Sequence, residues 1–291
     1  MNLQKEWCTT RTRKDARQKR AFSSRQDLFE QLDAIVAKFL KTFGNIYKNC
    51  QHVEWYKANL DFARIEKPTR KETLIILFSN RSGWNFLGRG LAGTGSYPIA
   101  GEPLNCQTIE KSGAESFGKY LERLKGHFKK QNRFAFKAGI TQLMFLRQTG
   151  LLDHHFPDRK IIRTYREDII SQAVSWSIAT QRKVWHQTDA PAEKFEEVEY
   201  DQATIENFLQ GIAVRESFER MYLATENAPS MTISYEQMTN DAEKTSASIC
   251  EFLTLDPGSF SFDSVNIVKQ SNQTNREHFE RFARYFKDQF N

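Results

Sequence analysis

Apolar positions in residues 1–70 recur at helical spacing. Between Asp27 and Tyr47, Leu28, Leu32, Ile35, Val36, Phe39, Leu40 and Phe43 fall on one face, the pattern of an amphipathic helix. The pattern changes near Pro68. Residues 66–72, Glu-Lys-Pro-Thr-Arg-Lys-Glu, read as a linker. A continuous apolar run then fills 73–78 (Leu74, Ile75, Ile76, Leu77, Phe78), which predicts a buried strand. Residues 84–95 have helical potential weakened by Gly88, Gly90, Gly93 and Gly95, and glycine there permits close packing on a sheet. Further strands are predicted at 133–137 (RFAFK) and 160–165 (KIIRTY), with a helix from Ile140 to Gly150 between them. After Arg166-Glu167-Asp168 comes a helix with Ile170, Val174, Ile178 and Trp185 on one face. An amphipathic helix at 200–225, a short strand plus turn at 231–238 and a helix from Asp241 to Leu253, with Asp241 as N-cap, complete the pattern. Strands alternating with helices imply an α/β domain over 71–291 with a mostly parallel sheet, preceded by a basic helical extension, 1–70. No internal repeat is visible.

The junction at 73–86 carries the first chemical signal. The strand ends in Ser79-Asn80-Arg81-Ser82-Gly83 and a helix comes at once after it. Such a turn aims several backbone N–H groups and the positive end of a helix at one point, where an anion can sit. Arg81 and Ser82 add a charge and a hydroxyl.

Composition narrows the ligand. The chain has 291 residues, 39% hydrophobic residues and 23 phenylalanines, enough for a sizeable core. Its net charge of +6 suits an anionic ligand. Residues 11–25 hold seven basic side chains against one Asp, the composition of a solvated tail or of an arm for an anionic surface; nucleic acid is the lesser reading. Cys8, Cys50, Cys106 and Cys250 lie far apart without CxxC spacing, which argues against a disulfide framework or a structural zinc and suits a reducing compartment; no metal is expected. No apolar run approaches the roughly 20 residues of a membrane span, and the start is polar and basic. The chain reads as soluble and cytoplasmic. Its oligomeric state is open, a homodimer included.

Two familiar loop types fail. A nucleotide-hydrolysing loop would read GxxxxGK[ST]; Gly83 and Gly88 match, but Arg89-Gly90 replaces the Lys and the magnesium-binding hydroxyl. Gly88-Arg89-Gly90-Leu91-Ala92-Gly93 matches GxGxxG in letters, yet lies ten residues past the strand, inside the helix.

A third arrangement fits. Arg81-Ser82-Gly83 after the first strand, and Arg166-Glu167-Asp168-Ile169-Ile170-Ser171-Gln172-Ala173-Val174-Ser175 after a later one, are some 85 residues apart. Between and after them come Ala100-Gly101-Glu102-Pro103-Leu104-Asn105, FAFKAGITQL (134–143), FPDRKIIRTYRED (156–168), and SYEQM (234–238) leading to SICEFLTL (248–255). In that order the segments resemble sulfotransferases that use 3′-phosphoadenosine-5′-phosphosulfate (PAPS), in particular the trehalose 2-sulfotransferase and nodulation-factor sulfotransferase group. The resemblance covers residues 72–290. The chain departs from it at Asn80, where Pro is frequent, and at Trp84 and Asn85, where Ser or Thr hydroxyls usually meet the phosphosulfate.

The resemblance implies a P-loop-like three-layer sandwich, PAPS as co-substrate, and a hydroxyl of a carbohydrate or glycolipid as acceptor. Ser82, Gly83, Trp84, Asn85 and Phe86 would cradle the 5′-phosphosulfate through backbone N–H groups, with the Arg81 guanidinium stabilising the leaving oxygen. Arg166 would pair with the 3′-phosphate, helped by Ser175 or Ser171. Glu102 would be the general base. The rival base is the pair His154-His155, expected at the sheet's far edge. Asp168 reads as a helix cap. Trp176 would shape the acceptor pocket, and Trp185 would pack in the core. Lys269-Gln270-Ser271 and Arg276 would fold over the nucleotide, or form a solvated basic loop. The alternatives are a non-catalytic nucleotide-binding relative or scaffold and, more remotely, a kinase.

Overall fold

The computed structural model describes residues 71–114, 117–128, 130–148, 150–183, 198–262, 265 and 273–289. The helical extension 1–70 with its basic arm, Trp185, Lys269, Gln270 and Ser271 lie outside the described residues.

The run Glu72–Phe78 forms strand β1, and Leu74, Ile75, Ile76 and Leu77 in it are fully buried. Apolar residues on both faces are what a parallel strand with helices above and below demands. β2 (Arg133–Ala138) and β3 (Arg159–Tyr165) flank it, and β4 (Ser230–Ser234) lies beyond β3, giving the order β2-β1-β3-β4 with every pairing parallel. The chain therefore crosses over between β2 and β3. The crevice where strand order reverses opens between the C-terminal ends of β1 and β3, the place where open α/β sheets bind ligands.

One face carries α1 (Trp84–Gly93), with Leu87 and Leu91 packed on Leu74, Ile76, Ala135, Ile162 and Ile233. α2 (Cys106–Lys111) and α3 (Phe117–His127) precede β2; α4 (Ile140–Gln148) and α5 (Leu151–His155) precede β3. On the other side, α6 (Ile169–Arg182), α7 (Gln202–Thr225) and the late helix α10 (Gln273–Asp288) share a core of Ala173, Val174, Trp176, Ile205, Ile212 and Phe282. α8 (Tyr235–Asn240) and α9 (Ala242–Leu253) come after β4, and α9 returns to the α1 face through Ile249, Cys250 and Leu253. The result is the expected three-layer α/β sandwich.

Three local expectations are corrected. The helix expected over Ile140–Gly150 ends at Gln148, and Gly150, at φ 74°, starts α5 as a separate turn. The turn expected after the 231–238 strand is α8, begun by a capping box in which Ser234 and Gln237 exchange side-chain-to-backbone hydrogen bonds. Asp241 stands at the N-cap of α9 but makes no side-chain cap bond. It also closes α8, and its φ of −123° and ψ of 44° miss the extended geometry a capping side chain needs.

Among the glycines of α1, Gly90 has a packing explanation. A Cβ there would stand 2.7 Å from the Phe260 ring, whereas one on Gly93 would meet nothing within 4 Å.

Candidate active site at the strand ends

The loop after β1 is strained where it turns. Arg81 has φ 65°, a left-handed conformation uncommon outside glycine, and Gly83 at φ 86° is the N-cap of α1. Strain of this kind persists only where surroundings hold it. Ser82, wholly buried, hydrogen-bonds its hydroxyl to Thr164 of β3 at 2.9 Å. Gln172 of α6, also wholly buried, donates its amide to Ser79 Oγ at 2.9 Å and to the Asn80 carbonyl at 2.7 Å. Arg81 Nε donates to Ser175 Oγ at 2.9 Å. The loop is thus pinned by β3 and α6.

The backbone N–H groups of 82–86 are not all alike. The Ser82 N–H is committed to the Ser79 carbonyl and the Phe86 N–H to that of Gly83. Among the described residues, the N–H groups of Gly83 and Asn85 have no such internal partner. Phe86 packs its ring on Phe262, centroids 4.7 Å apart.

The loop after β3 comes alongside. Asp168 caps α6, accepting from Ser171 N at 2.8 Å and from Ser171 Oγ at 2.5 Å. Ser171 is therefore engaged locally, whereas Ser175, one turn on, faces Arg81. Arg166 lies over the Tyr235 ring, 5.1 Å from its centroid, with Nε 3.7 Å from Glu236 Oε1. Burial, and after it the repulsion of Arg166, pulls the Arg81 guanidinium below its ordinary value, with Tyr235 acting the other way. Two guanidiniums from two loops thus converge at the crevice.

Glu102 arrives by a different route. Residues 98–101 run along the outer edge of β2: Ala135 N donates to the Pro98 carbonyl, Ala100 N to Ala135 and Lys137 N to Gly101, all at 2.8–2.9 Å. This register sets Glu102 in an ion pair with Lys137. Lys137 is 3% exposed, its ammonium 3.1 Å from the centroid of the Trp84 ring and 4.9 Å from that of Phe78. Burial pulls Lys137 down to about 8 against the opposing pull of Glu102. Trp84, at the head of α1, faces the Lys137 cation.

The other expected residues fall elsewhere. His154 and His155 end α5, which leads into the N-terminal end of β3, the opposite end of a central strand from both loops. His155 is buried with neither ring nitrogen hydrogen-bonded among the described residues. Trp176 is buried and stacked on Phe208, centroids 4.4 Å apart, with Arg215 over its ring; it packs the α6–α7 core. Arg276 is an exposed residue of α10. Sequence reasoning missed Gln172, Lys137, Tyr235 and Glu236. Lys137 had one visible signal, a charge between the apolar residues Phe136 and Ala138 of the strand RFAFKA, and Gln172 was an amide directly before the apolar pair Ala173-Val174.

Residues 145–285 match the family model described as Stf0 sulphotransferase. That match supports a sulfotransferase. Two solved structures also align with the chain. The mouse sulfotransferase SULT7A1 complexed with PAP is 18% identical with a TM-score of 0.42, over 74% of this chain and 65% of that one. The sulfotransferase domain from the Synechococcus PCC 7002 olefin synthase is 15% identical with a TM-score of 0.41, over 76% of this chain and 98% of that one. The chain thus spans less than two thirds of the length of the mouse protein. No curated protein matches the chain. No helix among the described residues is long and apolar enough to cross a membrane.

Proposed function

We propose that the chain transfers a sulfuryl group from PAPS to a hydroxyl of a carbohydrate or glycolipid acceptor. The observation that carries this reading is the convergence of Arg81 and Arg166, from the loops after β1 and β3, within a chain matched over 145–285 by a sulphotransferase model. Two cations held together at a topological switch point call for an anion with charge to spread over both. Arg81, with the Gly83 and Asn85 N–H groups, would take the 5′-phosphate side of the donor. Arg166 would take the 3′-phosphate. Glu102 would accept the proton of the acceptor hydroxyl as that oxygen attacks sulfur and the bond from sulfur to the 5′-phosphate oxygen breaks. The products are a sulfate ester and adenosine 3′,5′-bisphosphate (PAP), and no metal is needed to balance the step. Lys137, paired with Glu102 and set against Trp84 at the head of α1, would steady the charge on the group in flight.

A second reading, a nucleotide binder without turnover, has one observation in its favour. The Trp84 ring lies against the Lys137 cation where the related loops carry a hydroxyl. One experiment addresses both. PAP should raise the melting temperature while ATP with magnesium does not, and PAPS should be consumed with one of a panel of sugar and glycolipid acceptors. A PAP shift without turnover on any acceptor supports the second reading; a shift with ATP and magnesium alone removes the PAPS reading and leaves a binder of a different nucleotide.

A further inference from the structure

The sequence pairs β3 with β4 in parallel so that Tyr165 lies opposite Ser234. The segments that leave the two strand ends therefore run side by side. α8 begins without a loop, because the Ser234–Gln237 capping box starts it at the strand end. Tyr235 and Glu236, its first two residues, are thereby set against Arg166-Glu167-Asp168. The Glu236 carboxylate accepts the Glu167 N–H at 2.9 Å and reaches that of Asp168 at 3.5 Å. One of its oxygens is 3.7 Å from Arg166 Nε, and Tyr235 lies under the guanidinium face. Arg166 is flanked on its Nε edge by this ion-pair contact, with Nε itself buried and making no hydrogen bond among the described residues, and on its face by the ring. Among the described residues its two terminal nitrogens make no hydrogen bond.

The N–H groups that lead into α6 would ordinarily serve an anion themselves, but Glu236 already takes them. A phosphate approaching the turn meets the terminal fork of Arg166 instead. We infer that Glu236 is a positioning residue that presents the Arg166 fork to the 3′-phosphate, so that discrimination for that phosphate depends on Glu236 although it is itself an anion. The inference rests on the PAPS reading above. Its carboxylate is not left to repel the ligand, since two N–H groups and a guanidinium surround it.

The test compares PAP with AMP, which lacks the 3′-phosphate, by calorimetric titration of the full chain. Wild type should prefer PAP. Glu236→Ala should lose roughly tenfold or more in PAP affinity with AMP affinity within about twofold, so the preference collapses. Glu236→Gln keeps one acceptor oxygen and the side-chain shape, so it should fall between the two; it also serves if the alanine variant does not fold. A general loss of structure would lower both affinities together and would overturn the inference, as would unchanged preference in both variants. Tighter PAP binding by Glu236→Ala would overturn it too, by showing that the freed N–H groups bind the phosphate and that the carboxylate merely competes. A wild type indifferent to the 3′-phosphate would instead overturn the PAPS reading, and the inference with it.

Discussion

Glu102 touches a cation, and that contact gives it two conceivable duties. It can take a proton from the acceptor, or it can keep Lys137 charged. Burial drags Lys137 down to about 8 while Glu102 pulls it up. Removing the carboxylate therefore lowers Lys137 further, toward neutral pH, and the two duties separate by pH. Glu102→Gln should leave PAP affinity close to wild type and cut turnover by roughly a hundredfold, the usual scale of general-base assistance. If the lost duty is base catalysis, the ratio of variant to wild-type turnover stays low from pH 6 to pH 8. Recovery of that ratio at pH 6, where Lys137 regains its proton without help, would show that Glu102 acts only through Lys137.

At the level of elements, the site is a strand–turn–helix unit clamped by a second strand end. Gly83 is where the two meet. Its φ of 86° strains any residue with a side chain, and a Cβ there would stand 2.6 Å from Tyr235 Cδ2 and 3.0 Å from Met238 Cε. Gly83→Ala should cost about 1–3 kcal/mol from backbone strain alone. It should also push α8 away, so PAP affinity falls with the melting temperature; a variant with wild-type affinity would mean that α8 does not hold the loop. Much of this unit was legible in sequence, because a wholly buried parallel strand must be a continuous apolar run and its exit a tight polar turn. The meeting of Glu102 with Lys137 was not. It depends on residues 98–101 adding along the β2 edge, a pairing that no local pattern announces. α8 was missed for a different reason: its capping box was present as Ser234 and Gln237, but one and a half turns of helix offer no periodicity. The split at Gly150 came from a single positive φ, which glycine permits without requiring.

Across the whole molecule, two buried groups on separate helices oppose each other in the proton balance of folding. His155, at the end of α5, is pushed down to about 3 by burial and then by Lys125 and His154. Its depressed value gives stability that is present above its ordinary value near 6.5 and is lost as pH falls toward 3. Glu219 of α7, buried against Arg163 of β3 with Nε to Oε2 at 2.7 Å, is pushed up to about 7 by burial despite that partner. Its raised value gives stability that is present below its ordinary value of 4.5 and is lost as pH rises through 7. Between pH 4.5 and 6.5 the two slopes, each about 1.4 kcal/mol per pH unit at full development, run in opposite directions and offset each other. Removing either group exposes the other. Relative to wild type, His155→Leu should lose stability as pH rises through that window, and Glu219→Gln should gain it. Any packing cost of a substitution displaces its curve by a constant, whereas the proton effect tilts it. Urea unfolding of the three proteins at half-unit steps across the window reads the tilt directly. Curves parallel to wild type would mean that His155 and Glu219 titrate alike in the folded and unfolded chains, and that their burial is relieved by water.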